Sequence, residues 1–103
     1  IIEPSQYFYI PNAFTPDGDG RNDVFRPVLA DPELAVGSWQ LAIFDRWGGL
    51  VFETADISLS WDGTKNGEPC PEGAYVYQIT FNVEGIPGVE GEQTIVGTVV
   101  IVR

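Results

Sequence analysis

Histidine is absent from this chain of 103 residues. A Ser-His-Asp triad, a Cys-His pair and any His-ligated metal are therefore excluded. The single cysteine, Cys70, excludes an internal disulfide and CxxC chemistry, and by itself does not decide a redox compartment. Cations are scarce: five Lys and Arg stand against fifteen Asp and Glu, for a net charge of −10. That balance speaks against nucleic acid or an anionic membrane as partner, because both repel an acidic surface. Long apolar runs are missing as well. Val99-Val100-Ile101-Val102 is far short of the ~18 residues that suggest a membrane span. Methionine is absent, and the chain opens at Ile1 with the linker-like run Glu3-Pro4-Ser5-Gln6. The expectation is one domain over residues 1–103, excised from a longer protein, with residues 1–6 as the end of a linker.

What is present is punctuation between short apolar runs. The 12 Gly and 8 Pro fall between segments of period two, which suits an all-β sandwich. In residues 73–83, Tyr75, Tyr77, Ile79, Phe81 and Val83 alternate with Ala74, Val76, Gln78, Thr80 and Asn82. That spacing puts the first set on one face of a strand. Residues 93–103 read as a second strand, with Ile95, Val99 and Ile101 on one parity and Gly97 as a bulge or close-approach point. The two are expected to form a hairpin with a long loop. Trp39, Leu41 and Ile43, then Gly48-Gly49, then Leu50-Val51-Phe52-Glu53 read as another hairpin with a glycine turn. Residues 7–10 and 24–28 are shorter strand candidates, and Asp31-Pro32-Glu33-Leu34-Ala35 reads as one helical turn. The expected architecture is an antiparallel β-sandwich of about seven strands.

Three motifs carry polar chemistry, each with a structural and a functional reading. In Asn12-Ala13-Phe14-Thr15-Pro16-Asp17-Gly18-Asp19-Gly20-Arg21-Asn22-Asp23, the carboxylates of Asp17, Asp19 and Asp23 can converge on Ca²⁺, which takes six to eight oxygens. Alternatively the run is a turn whose Asx side chains bond backbone amides. Phe44-Asp45-Arg46-Trp47-Gly48-Gly49 places Arg46 and Trp47 at a strand end, as a recognition point for a partner or as an Arg paired with a carboxylate and stacked on a ring. Trp61-Asp62-Gly63-Thr64-Lys65-Asn66-Gly67 holds two turn signals; Trp61 is expected to plug one end of the sandwich and Asp62 to bond the turn backbone. A sugar platform of Trp39, Trp47 and Trp61 is the alternative to burial of those rings.

Taken in order, these segments resemble a known family. Tyr9-Ile10-Pro11-Asn12-Ala13-Phe14-Thr15-Pro16-Asp17-Gly18-Asp19-Gly20-Arg21-Asn22-Asp23 is similar to the opening motif of the gliding-motility-associated C-terminal domain, the type B sorting domain of the type IX secretion system. Ile43-Phe44-Asp45-Arg46-Trp47-Gly48, Val51-Phe52-Glu53, Trp61-Asp62-Gly63-Thr64, Pro71-Glu72-Gly73-Ala74-Tyr75-Val76-Tyr77 and Gly97-Thr98-Val99-Val100-Ile101-Val102-Arg103 follow in the family's order. Asp17 stands where the family often has Asn, and Val102 where Ile is common.

The resemblance implies an immunoglobulin-like sandwich and a non-catalytic sorting module. Such a module sits at the C-terminus of large adhesins and enzymes, is read in the periplasm and directs its cargo through the outer membrane to the cell surface or medium. Type B domains often remain on the cargo. The implied partner is the outer-membrane secretion machinery, met by protein contact, with strand addition at the closing strand as one mode. Arg46, Trp47 and Arg103 are the candidate recognition residues, calcium is the one candidate cofactor, and the isolated domain is expected to be a monomer. The alternative is an immunoglobulin-like module of a surface adhesin that binds a carbohydrate or a protein, since fold alone does not choose between them.

Overall fold

The computed structural model describes residues 7–16, 23–30, 35–84 and 91–102, and every element in them is a strand. Two long strands dominate, β8 (Gly73–Glu84) and β9 (Gln93–Ile101). They pair antiparallel in unbroken register from Gly73↔Ile101 to Phe81↔Gln93. The alternation read from the sequence holds. Tyr75, Ile79, Phe81 and Val83 are buried and Tyr77 is half-buried, while Ala74, Val76 and Gln78 are exposed. β4 (Ala35–Phe44) lies on the other side of β8, and β5 (Leu50–Thr54) closes that side of the sheet. Leu41, Ile79 and Ile95 form one cross-strand row and are buried side by side. Each such aliphatic side chain contributes about 1.5–3 kcal/mol on leaving water.

The remaining strands explain why nine are described where about seven are expected. The strand expected over residues 7–10 is shorter, and an unexpected one forms at residues 13–14. β1 (Phe8–Tyr9) pairs antiparallel with β3 (Val28–Leu29), and β2 (Ala13–Phe14) pairs parallel with β9. The chain thus crosses from one layer to the other at residues 10–12, where Pro11 has no amide to give to either ladder. An all-antiparallel sandwich was the expectation, and the β2–β9 pair is its exception. A second addition is the ribbon of β6 (Thr64–Lys65) and β7 (Glu68–Pro69). Asn66 and Gly67 turn it with φ of 54° and 84°, the left-handed values a tight hairpin needs.

The expected strand over residues 24–28 shrinks to the single bridge Phe25↔Trp61, followed by β3. Pro27 interrupts it, because proline cannot donate to a ladder. Of the expected helical turn, residues 31–34 lie outside the described residues, and Ala35 already begins β4. The five-stranded sheet, in the order β2-β9-β8-β4-β5, is one layer. Tyr7, Phe8, Phe25, Trp61 and Cys70 join its inner face in a single hydrophobic core.

Candidate functional site

One end of the sandwich gathers three of the sequence motifs. The turn between β4 and β5 is built around Asp45. Its Oδ1 accepts the amides of Trp47 at 2.9 Å and Gly49 at 2.8 Å, and its backbone bonds Gly49 and Gly48. Gly48 has φ of 84°. That is the left-handed conformation glycine allows, and a Cβ on Gly49 would lie 3.0 Å from Asp45 Oδ2, so the carboxylate would have to shift to admit one. With its carboxylate engaged, Asp45 leaves Arg46 and Trp47 at the tip of the turn. The Trp47 ring is 81% exposed, and the Arg46 guanidinium carbon lies 4.9 Å from its centroid. This is the stacked half of the structural reading of Arg46. The other half, a carboxylate partner, is not found among the described residues.

The Trp61 motif lies beside it. Trp61 is fully buried, donates Nε1 to Thr64 O at 2.9 Å, and packs on Phe14 at 5.4 Å and Tyr75 at 5.2 Å between centroids. It is the end plug expected of it. Asp62 Oδ1 accepts the amide and the hydroxyl of Thr64 at 3.1 and 2.6 Å, as the turn reading required. Gly63, at φ 83°, lets its carbonyl accept the Cys70 amide at 2.7 Å.

The third segment leads into β8. Tyr75 donates its hydroxyl to Pro71 O at 2.7 Å. A tyrosine near the start of a strand, bonded back to the chain just upstream, is the tyrosine corner found in immunoglobulin-like sandwiches. The sequence reading missed it, although the spacing Pro71 to Tyr75 was the available signal. Between these segments lies an open cleft of about 520 Å³, lined by Arg46, Trp47, Val51, Lys65, Cys70 and Tyr75 among others. Lys65 brings a second cation to it, which no motif reading had flagged.

The other expectations fall differently. Trp39 is buried against Phe8, with 5.1 Å between centroids, and Trp61 is buried too, so Trp47 is alone on the surface and the three rings make no sugar platform. Burial wins because Trp39 and Trp61 sit on the inner face and at the end of the core. Asp17, Asp19 and Arg103 lie outside the described residues, while Asp23 is described and half-buried. Among the described residues no helix is long and apolar enough to cross a membrane.

Short N-terminal strands paired to both layers, a tyrosine corner and an open, largely apolar cleft at one end define an immunoglobulin-like β-sandwich module. The family model of the CHU_C Type IX secretion signal domain matches residues 8–99, and the chain belongs to that family. The resemblance in its motifs is thereby borne out. A comparison with curated proteins finds no match. The family is one of secretion signals, which gives the domain a sorting role and makes its cargo a secreted or cell-surface protein.

Proposed function

We propose that this domain directs a large cargo protein from the periplasm through the outer membrane by the type IX secretion system, and that it does so without catalysis. The match over residues 8–99 carries the reading. The machinery meets the domain at the cleft, where Trp47 and Arg46 offer a ring and a guanidinium, two of the groups enriched in binding hot spots. Arg103 of the closing motif is proposed as a further contact. Support for the cleft comes from the way the fold spends its acids. Asp45 and Asp62 hold turns, and Arg46 and Lys65 line the cleft together with Glu68 and Glu72, so that it offers both signs of charge in a chain of net charge −10.

Fusion of the domain to the C-terminus of a periplasmic reporter, in a host with the secretion system, tests the function. The reporter is expected outside the cell when the translocon is intact and inside when it is deleted. Retention in both strains would retire the sorting function in favour of an adhesin module.

A further inference from the structure

The two sides of β9 are not equally filled. β8 borders its whole length, whereas β2 borders only Val100 and Ile101. The Val100 amide donates to Asn12 O and the Val102 amide to Phe14 O, each at 3.0 Å. An amide that points at β2 points away from β8. By the alternation of a strand, the N–H and C=O groups of Thr94, Val96 and Thr98 point to that same side. Among the described residues no strand lies beside them. Residues 94–98 thus present a bare edge about 17 Å long at ~3.3 Å per residue.

This edge lacks the usual defences. Proteins blunt an exposed edge with Lys, Pro, a bulge, an inward charge or shortness. The opposite edge of the sheet, β5, has several. It is five residues long, carries Glu53 and shows a register shift opposite Ile43 and Phe44. From Gln93 to Ile101, β9 has no charge, no proline and no break in register. Val96, in the middle, is 65% exposed, and Thr94 and Thr98 are exposed on either side.

We propose that this edge takes up a strand from a partner protein, laid end to end with β2, so that the partner's backbone completes the sheet. The charge around it selects the occupant. Exposed Glu92 immediately precedes β9, and the chain as a whole carries −10. A second copy would bring the same charges to the same place. The fitting strand is uncharged in its middle and flanked by Lys or Arg. Within the sorting function proposed above, on which this inference rests, that strand belongs to the export machinery.

The test uses the full reporter fusion with Val96→Pro and Val96→Lys, and Val96→Thr as control. The Val96 amide faces away from β8, so proline there removes a docking donor without removing a bond of the existing ladder. Both variants are expected to keep the circular dichroism of the unmodified domain while export falls roughly tenfold or more, with Val96→Thr unchanged. Folded Val96→Pro and Val96→Lys fusions exported at the unmodified level overturn the edge and leave the sorting function intact. An unmodified fusion that stays inside overturns both. Sedimentation of the isolated domain decides the occupant: a monomer is expected, and a dimer that Val96→Lys dissociates would replace the partner protein with a second copy.

Discussion

Gly97 stands directly opposite Tyr77 in the β8–β9 ladder, and the ring of Tyr77 occupies the space a side chain at 97 would need. A Cβ there would meet the Tyr77 hydroxyl and come within 2.9 Å of its ring carbon Cε2. Tyr77 in turn packs on Phe25, with 5.3 Å between centroids. Of the two sequence readings of Gly97, close approach holds, since the register runs through it without a bulge.

Gly97→Ala is therefore expected to destabilise the domain by about 1–3 kcal/mol, the usual cost of overpacking. In a Tyr77→Ala background the same substitution should cost little, because the methyl then has room. Urea denaturation of the four proteins in the cycle measures this. An equal cost in both backgrounds would assign the effect to the strand backbone instead.

Burial also pushes the Tyr77 hydroxyl above its ordinary pKa of 10.0. Its contribution to stability is present in full below that value and is lost as pH rises through the higher folded one. Denaturation midpoints should fall with rising alkaline pH, and Tyr77→Phe should flatten the fall. Parallel pH curves for the two proteins would show that the hydroxyl has no part in it.

Tyr75→Phe removes the bond to Pro71 O and keeps the ring against Trp61. A loss of about 0.5–1.5 kcal/mol is expected, the net worth of one hydrogen bond. Since Pro71 lines the cleft, the amide signals of Cys70 and of residues 72–75 should move most in a two-dimensional NMR spectrum. Shifts spread evenly over β8 would contradict a local corner.

Arg46→Gln and Trp47→Ala touch a turn tip whose own bonds run through Asp45. Stability is expected to stay within about 0.5 kcal/mol, as for surface sites in general. Export of the fused reporter should drop, more for the double variant than for either single one. Unchanged export in all three folded proteins would move recognition away from the cleft. Asp45→Ala, by contrast, unties the turn and should lower stability and export together.

Much of the fold was legible because a strand writes its faces into the sequence. Every second residue from Tyr75 to Val83 is apolar, and so are Ile95, Val99 and Ile101, and these are the residues that line the core. Motif chemistry was legible for the same local reason. Asp45 and Asp62 bond amides within a few residues, so glycine spacing alone pointed to their turns. The open roles of Arg46 and Trp47 followed from composition, yet nothing local showed that Lys65 would join them at one cleft. Residues 24–28 were misread because alternation was weighed without the missing amide of Pro27.

The amino-acid sequence by itself determined the long strands, their inward faces and the family, because these rest on side-chain period and on turn residues that act over a few positions. Beyond the two hairpins, β4–β5 and β8–β9, pairing was decided by the tertiary structure alone. That β2 runs parallel to β9, that β4 sits between β5 and β8, and that among the described residues no strand borders the outer side of residues 94–98 depend on which distant backbone groups meet. A strand's hydrogen-bonding groups are the same in every sequence, so no residue names its neighbour. Only the closing of the loops and the burial of a common core select one arrangement.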